Sequence, residues 1–455
     1  MHCKFAAQVF ATVCVALAAA HAGGDTIIEW NRVASDVLLV DSNYQNPGMA
    51  SRSMAMMNLA IYDAVNGVLP RHRQMFTHGA APQVASPEAA AIQAAYRVLY
   101  SIYPDQQSLL DSERATSLNL IENSPAKAEG IAYGDLVASQ IVAARATDGF
   151  DNMVLYTPQG DPGRWEPDPL NASQTAWGPQ WGDMQTFALE STSQLIVPAV
   201  PALSSQQYTD AFDEVKSLGA LDSSTRTPEQ TEIGLFWSYD RLGMGTPMRM
   251  YNAILRTVAD QQGNSLSDNA RLFAMATTSV ADAGIVAWDT KFTNDFWRPV
   301  SGIRRADEDG NPYTVADPGW VPLGAPGGIA PDGSLIDPFT PPFPTYLSGH
   351  ASFGGALFQS LENFYGTDDI SFEVTSDELP GVVRSYTSFS QASEENGRSR
   401  VYLGIHWNFD DIQARAMGAN LANYVSDHHF LAIPEPSSLC LAVLGVCCFV
   451  ARLRW

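Results

Sequence analysis

Three short strings in the second half of the chain carry cationic and imidazole side chains that could together hold a tetrahedral oxyanion. They are KFTNDFWRP at 291–299, LSGH at 347–350 and SRVYLGIHWNFD at 399–410. Lys291 and Arg298 are seven residues apart, so on one helix they would lie two turns apart on the same face. The first string therefore predicts two cations directed at one position.

The second and third strings add anion-binding groups of other kinds. A proline-rich loop precedes the second string, and an apolar pattern of helical spacing follows it, formed by Phe353, Leu357, Leu361 and Phe364. Ser348 and Gly349 are therefore predicted at a helix start, where free backbone amides favour an anion. Arg400 offers a guanidinium fork to oxyanion edges, and His406 can attack or coordinate a central atom.

Each string alone also fits a simpler interpretation. A lysine and an arginine at helical spacing usually lie on a solvated face, and a buried histidine is often a hydrogen-bonded structural residue. However, His350 and His406 are the only histidines between His78 and His428, and each lies in a cluster with Gly, Ser or Arg. The combination favours one shared site.

In order and residue type, the strings resemble the signature shared by vanadium-dependent haloperoxidases, type 2 phosphatidic acid phosphatases and bacterial acid phosphatases. The patterns KxxxxxxRP and SRxxxGxHxxxD are complete, and Leu347 stands where the middle motif usually has proline. The segments at 237–256, 281–304 and 341–358 resemble the fungal chloroperoxidase type of haloperoxidase. This resemblance covers roughly residues 230–425 and implies vanadate as the cofactor.

The resemblance also implies a role for each site residue. Vanadate oxygens would be held by five residues: Lys291, Arg298, Ser348, Gly349 and Arg400. His406 would bond to vanadium, His350 would be the acid–base group, and Lys291 would also polarise bound peroxide. Asp240 would pair with the last arginine. Two aromatic residues, Trp288 and Phe343, would lie near the halide.

The same residues would serve a phosphatase, because pentacoordinate vanadate and the transition state of phosphoryl transfer share trigonal bipyramidal geometry. In that alternative, His406 attacks the phosphorus of a phosphomonoester to form a phosphohistidine, and His350 protonates the leaving alkoxide. A second alternative is a non-enzymatic oxyanion-binding surface protein. The flanking similarity, the Trp288 and Phe343 pair and the lack of the transmembrane helices expected of a lipid phosphatase favour a haloperoxidase that uses hydrogen peroxide and halide.

Both chain ends predict export. Residues 1–22 carry Lys4, an apolar run and an Ala-His-Ala site, which is typical of a secretory signal peptide; a transmembrane anchor is the alternative. Residues 434–455 hold a Pro-Glu-Pro sequence, a short apolar stretch and a basic tail. This segment resembles the PEP-CTERM sorting signal that exosortase-type systems process in some Gram-negative bacteria, with a plain tail anchor as the alternative. We expect a protein exported to the cell surface or medium of a Gram-negative-type bacterium.

Composition excludes several function classes. All five cysteines lie in the two predicted processing segments: Cys3, Cys14, Cys440, Cys447 and Cys448. A processed chain would therefore have no disulfide, cysteine nucleophile or thiolate metal site. If cleavage follows the Pro-Glu-Pro sequence, removal of Lys4, Arg452 and Arg454 leaves 23 basic against 49 acidic side chains, a net charge of −26 that repels nucleic acid. The acidic run at 307–311 predicts either a calcium-binding loop or a solvated loop.

Helical periodicity dominates the chain and predicts an all-α protein, a large helical bundle of the haloperoxidase and acid phosphatase type. Ser86 is predicted to cap one helix, and six further helices are predicted at 54–65, 126–146, 229–239, 247–261, 267–287 and 410–425. Residues 23–225 are interpreted as helices packed on a catalytic domain at 226–430; a separate binding domain is the alternative. Two aperiodic stretches rich in Pro and Gly, 148–181 and 306–344, are long enough to predict functional lids.

Overall fold

The computed structural model describes residues 25–40, 46–77, 79–241, 243–327 and 337–433. The predicted signal peptide at 1–22 and the predicted sorting signal at 434–455 lie outside these residues, as do all five cysteines.

Thirteen α-helices and one short β-hairpin form the main regular structure of this described part. The helices before residue 225 are α1 (Thr26–Val40), α2 (Pro47–Val68), α3 (Pro87–Ile102), α4 (Gln107–Asn119), α5 (Pro125–Ala144) and α6 (Gln206–Leu218). The later helices are α7 (Pro228–Phe236), α8 (Thr246–Gln262), α9 (Leu266–Asn294), α10 (Pro299–Arg304), α11 (Gly349–Tyr365), α12 (Phe389–Tyr402) and α13 (Asn408–His428). Strands β1 (Phe372–Thr375) and β2 (Val383–Tyr386) pair antiparallel. The predicted all-α class is confirmed.

Local capping explains where several helices begin. Ser86 accepts a hydrogen bond from the Ala89 amide at 3.1 Å, and Pro87 occupies the first turn of α3, as the sequence predicts. Ser265 and Asp268 form a reciprocal capping box at the start of α9. Each of the six helical segments predicted from periodicity lies mainly within one helix of the structure.

The long helix α9 lies at the centre of the bundle. It packs against α2 from the N-terminal half and against α11 and α13 from the second half. The two halves share one hydrophobic core, and α1 from the first half also packs against α8 from the second. Within the described ranges, α9 alone is long and apolar enough to cross a membrane by composition, but 94% of its most apolar window is buried inside the protein.

Two long segments with little regular structure, at 145–205 and in the described residues 305–327 and 337–348, are hydrogen-bonded to each other. The Trp177 amide donates to the Pro342 carbonyl at 2.8 Å, and the amide and hydroxyl of Thr340 donate to Asp168 at 3.2 and 2.9 Å. The first segment is also bound to α9, where buried Asp282 accepts hydrogen bonds from three consecutive amides, those of Phe187, Ala188 and Leu189.

The acidic run at 307–311 folds inward at two of its positions. Asp309 accepts hydrogen bonds from the Asn311 amide at 2.6 Å and from the Thr314 hydroxyl at 2.7 Å, and both Asp309 and Asn311 are buried. A solvated loop is therefore wrong for these two side chains. Both oxygens of Asp309 are already bonded within the chain, and the described residues contain no group of three or more His, Cys, Asp or Glu side chains placed to hold a metal.

Candidate active site

The prediction that Lys291 and Arg298 lie two turns apart on one helix is wrong. Helix α9 ends at Asn294, and Asp295 adopts a left-handed conformation with φ of 51°. Arg298 precedes Pro299, which disfavours helical backbone at that position, so Arg298 is extended and caps α10. The chain thus turns between the two cations. They still reach one place, because Lys291 Nζ and Arg298 Cζ each lie 5.0 Å from the centroid of the Phe343 ring.

The first long segment holds this turn in place. The Tyr156 hydroxyl donates to the Asp295 carboxylate, and the Trp165 amide donates to the Asp295 carbonyl at 2.9 Å. The Trp297 amide donates to the Gly163 carbonyl at 3.0 Å. Residues that are distant in sequence therefore support the backbone that carries both cations.

Lys291 is fully buried and donates to loop carbonyls. Its Nζ lies 3.0 Å from the Pro344 carbonyl and 2.9 Å from that of Thr345, and it also donates to Leu347. Burial, followed by the nearby charge of Arg298, lowers the pKa of Lys291 well below its usual range. The three carbonyl acceptors nevertheless match the three N–H donors of an ammonium group, so the protonated form fits this geometry. Contact with an oxyanion would require Lys291 to share or exchange one of these bonds.

Both arginines keep buried donors without a partner among the described residues. Arg298 donates through Nε to the Phe343 carbonyl at 3.0 Å and through Nη1 to the Ile405 carbonyl at 2.8 Å, which leaves Nη2 free. Arg400 donates through Nη2 to Asp240 at 2.5 Å, which leaves Nε and Nη1 free. Burial lowers the pKa of Arg298 to about 9. Unpaired buried donors are costly, so these three atoms indicate an anion-binding position.

The predicted helix start beside the cations is confirmed. Ser348 is the N-cap of α11, Gly349 is its first residue, and the Ser348 hydroxyl accepts the Ala351 amide at 3.4 Å. The Ser348 amide donates to the Asp410 carbonyl at 3.2 Å, which joins this helix start to α13. A Cβ atom on Gly349 would lie 3.1 Å from the Trp288 ring, so the indole approaches the backbone closely. The α11 N-terminus adds a favourable dipole for an anion.

His406 is held in one tautomer by its neighbours. Arginine is only a donor, so the 3.3 Å contact of Arg298 Nη1 makes His406 Nε2 an acceptor. Nδ1 then carries the proton and donates to Asp410 Oδ2 at 2.9 Å, and the Thr345 hydroxyl donates to the same oxygen. Burial raises the pKa of Asp410 to about 7, while three donors converge on its Oδ2 and favour the carboxylate. The lone pair of Nε2 therefore faces the cations.

His350 is also buried but has a different partner. Its Nε2 lies 2.8 Å from the Ser238 carbonyl, and a carbonyl only accepts, so Nε2 carries the proton. Burial, followed by the charge of Arg400, lowers the pKa of His350 to about 4, and nearby Asp240 opposes this shift. His350 is therefore neutral near pH 7.

The electrostatics show that the three strings converge. Burial lowers the pKa of His406 well below its usual range, and the next causes are four nearby groups: Arg298, Lys291, Arg400 and His350. We call this cluster, together with Ser348 and Gly349, the cationic socket. The free guanidinium donors, the helix start and the Nε2 lone pair fit a tetrahedral oxyanion that can accept a nitrogen ligand.

An aromatic wall lies beside the cationic socket. The rings of Trp288 and Phe343 have centroids 4.9 Å apart, and Lys291 Nζ lies 5.5 Å from the Trp288 centroid. Trp177, from the first long segment, contacts both rings edge-on at 5.4 and 6.1 Å. A cavity of about 360 Å³ opens along this wall and also contacts Asp240.

Three residues of the site were not among the predicted site residues. Asp410 lies four residues after His406 in the third string, a spacing that places both on one helical face or its cap, so a signal for it existed. Thr345 lies just before the second string, beside a proline-rich loop. Trp177 lies in an aperiodic stretch, and no local pattern marks it.

Comparison with known proteins agrees with this geometry. Residues 271–433 match the model of the VCPO second helical-bundle domain. The chain is 31% identical over 495 residues to the vanadium chloroperoxidase of Curvularia inaequalis, which covers 86% of this chain and 79% of that protein.

Solved structures show the same fold. A bacterial vanadium-dependent iodoperoxidase superposes with a TM-score of 0.74 at 24% identity, covering 90% of this chain and 98% of that one. A bacterial vanadium-dependent chloroperoxidase in its holo form gives a TM-score of 0.66 at 17% identity, covering 88% and 96%. The sequence relationship to the Curvularia enzyme extends over most of both chains, and on that basis the chain belongs to the vanadium haloperoxidase family.

Proposed function

We propose that this chain is a vanadate-dependent haloperoxidase that oxidises a halide with hydrogen peroxide to hypohalous acid. The observation that carries the proposal is the set of three free guanidinium donors on Arg298 and Arg400, buried in the same cluster as His406, whose Nε2 lies 3.3 Å from Arg298 Nη1. The homologous vanadium chloroperoxidases are oxidoreductases, which supports an oxidation over a hydrolysis.

The chain's own residues would hold the cofactor as follows. Arg298 and Arg400 would donate to vanadate oxygens, together with Ser348 and the Gly349 amide, and His406 Nε2 would be the nitrogen ligand. Asp410 would fix the His406 ring and its tautomer, since it accepts the Nδ1 proton. When bound, vanadate would supply a Lewis-acidic centre that activates hydrogen peroxide without a change of oxidation state.

His350 and Lys291 would manage protons and charge around bound peroxide. A neutral His350 can accept a proton from incoming peroxide, and its low pKa in the socket keeps it in that form near neutrality. Lys291 would polarise peroxide once it shares one of its three carbonyl bonds. Halide would approach along Trp288 and Phe343, whose ring edges carry partial positive charge.

One comparison of activities tests the proposal. Purified apo-protein is titrated with orthovanadate and assayed with peroxide, bromide and a bromination-sensitive dye, beside a phosphate-release assay on a phosphomonoester without vanadate. We expect saturable, vanadate-dependent dye bromination and little phosphate release. Phosphate release that vanadate inhibits, with no bromination, would support the phosphatase alternative, and vanadate binding without either activity would support an oxyanion-binding protein.

We also propose that the protein is exported and processed at both ends, the C-terminal end by an exosortase-type enzyme. The support is the sequence pattern of residues 1–22 and 434–455. The intact mass of the protein recovered from the surface or medium of its host tests this. A mature chain that begins near residue 23 and lacks the segment after Pro436 is expected, whereas a full-length cytoplasmic chain would contradict it.

A further inference from the structure

The cavity beside the cationic socket is larger than halide oxidation needs. Its volume of about 360 Å³ lies within the usual range of small-molecule sites. The apolar lining consists of four aromatic rings and four prolines: Trp177, Tyr239, Phe339, Phe343, Pro47, Pro247, Pro341 and Pro342. A halide ion is far smaller than this space, which has the volume of roughly a dozen water molecules.

Two residues of the cavity lining also contact arginines of the cationic socket. Phe343 lies in the cavity wall and also 5.0 Å from the Arg298 guanidinium. Asp240 also lines the cavity, and it keeps 14% of its side chain exposed while it pairs with Arg400. A molecule in the cavity would therefore lie next to the place where oxidised halide forms.

Backbone hydrogen bonds and ring contacts hold the Trp177 side of the cavity in place. The Trp177 amide is bonded to the Pro342 carbonyl at 2.8 Å, and Gln174 donates to the Thr340 carbonyl at 2.7 Å. The Trp177 ring packs edge-on against Trp288 and Phe343. A preformed aromatic wall selects planar ligands at little entropic cost.

We propose that this cavity binds an electron-rich aromatic acceptor that carries a hydroxyl group, and that the acceptor is halogenated there instead of by hypohalous acid in the medium. The inference rests on the proposed haloperoxidase function. Aromatic rings pack edge-on or offset against Trp177 and Phe343. The acceptor's hydroxyl donates to the Asp240 carboxylate, a charge-assisted bond, and the same carboxylate repels acidic acceptors.

The reaction balances with the reactants of the proposed function. Bromide gives two electrons to hydrogen peroxide, and one proton is consumed to form hypobromous acid and water. A ring carbon then forms a bond to bromine and loses its hydrogen as a proton, which leaves with the hydroxide of hypobromous acid as a second water. In sum, one aromatic C–H, one bromide, one peroxide and one proton give one C–Br bond and two waters.

The product pattern of the vanadate-loaded wild type tests the inference. Phenol is brominated by the enzyme, and the ratio of ortho to para product is compared with that from hypobromous acid added at the same rate and pH. We expect saturation by phenol and an isomer ratio that differs by about threefold or more, which corresponds to roughly 0.6 kcal/mol. An identical ratio without saturation overturns the inference.

Variants of the cavity lining test whether this cavity is responsible for phenol binding and for the isomer ratio. In Trp177→Ala and Phe339→Ala we expect the KM for phenol to rise roughly tenfold and the isomer ratio to approach that of the free reagent. Trp177→Phe keeps a ring and should retain most of the selectivity. Tyr313→Ala, which removes an exposed aromatic ring outside the cavity lining, is the matched control and should match the wild type.

The outcomes separate this inference from the proposed function. Failure of the wild type to oxidise bromide with vanadate and peroxide, measured without phenol, would contradict the haloperoxidase function itself. Normal bromide oxidation together with unchanged KM and isomer ratio in the folded cavity variants would contradict only the acceptor site. If Trp177→Ala does not fold, the Trp177→Phe and Phe339→Ala measurements still decide.

Discussion

The surroundings of His406 and His350 differ, although both imidazoles are buried in one cationic socket. The His406 ring donates Nδ1–H to a carboxylate, Asp410, and points its Nε2 lone pair at Arg298. The His350 ring donates Nε2–H to a backbone carbonyl, that of Ser238. A carboxylate increases the basicity of the opposite nitrogen, whereas a carbonyl mainly orients the ring.

This difference separates a ligand from a proton carrier. His406 presents a fixed, unprotonated Nε2, which suits a bond to an electrophilic centre. His350 has no buried carboxylate on its ring and instead lies near Arg400, with Asp240 beyond it, so its pKa responds to charge in the socket. Binding of an anion at Arg400 should therefore change the protonation of His350 and leave the orientation of His406 intact.

The largest effect is expected when the ligand is removed. In His406→Ala no imidazole nitrogen remains for vanadium, so peroxidase turnover should be lost while the fold persists. Vanadate titration and dye bromination measure the loss, and far-UV circular dichroism with thermal unfolding checks the fold. Retention of more than a few per cent of activity at saturating vanadate would show that His406 is not the ligand.

Removal of the proton carrier should affect rate more than binding. In His350→Ala we expect vanadate affinity to stay within about tenfold, roughly 1.4 kcal/mol, because no donor to the oxyanion is lost. Halide oxidation should fall by roughly 10²- to 10⁴-fold, the usual contribution of general acid–base catalysis. Calorimetric vanadate titration and steady-state rates separate the two quantities. Complete loss of vanadate binding, or full turnover, would give His350 a different role.

The carboxylate behind His406 should act through orientation. Asp410→Asn presents either an oxygen or an N–H to Nδ1, so part of the population loses the tautomer with an unprotonated Nε2. We expect vanadate affinity to fall by roughly 10- to 100-fold, as is typical for groups that orient a metal ligand. Asp411→Asn is the matched control, since Asp411 is an equally buried carboxylate that pairs with Arg415. Equal effects in the two variants would indicate a general loss of stability.

Local sequence patterns predicted much of the fold. Apolar residues at helical spacing located α2, α3, α5, α7, α8, α9 and α13, and the apolar pattern after the proline-rich loop located the start of α11. Helix α12, by contrast, has the sequence FSQASEENGRSRVY, in which too few apolar residues form a stripe. The hairpin strands are four residues long, too short for alternation to stand out.

The site was predicted less completely, because much of it depends on contacts between distant segments. The turn at Asp295 could have been predicted from Pro299, because a proline disfavours helical backbone at the residue before it. The supports from Tyr156 and Trp177 come from a loop more than a hundred residues earlier, where no period or motif indicates a partner. Residue types identified the chemistry, but the loop contacts that orient those residues could not be read from spacing.

Loss of Asp240 should weaken vanadate binding less than loss of Arg400, its partner in the ion pair beside His350. Arg400→Ala removes two free donors and a positive charge, and vanadate binding should weaken by roughly 1.5–3 kcal/mol. Asp240→Ala keeps the charge of Arg400 and removes only its 2.5 Å partner, so the loss should be smaller. Vanadate titrations of both variants measure the difference. Equal or greater weakening in Asp240→Ala would mean that the aspartate contributes more than orientation.

The smallest expected effect is a pH dependence of stability that belongs to His350. Its pKa in the folded protein is about 4, below the value of about 6.5 for an unfolded chain. The unfolded chain therefore binds more protons between these values, so the contribution of His350 is complete above about pH 6.5 and is lost as pH falls towards 4. Between pH 7.5 and 5.5 the apo-protein should lose about 1 kcal/mol of unfolding free energy relative to His350→Gln. Urea unfolding of both proteins at the two pH values measures this difference.

Saturating vanadate should reduce this pH-dependent difference, because an anion beside Arg400 offsets the charge that helps to lower the pKa of His350. A difference that does not change with pH would mean that His350 titrates normally in the socket, and the contrast with His406 would then rest on hydrogen bonding alone.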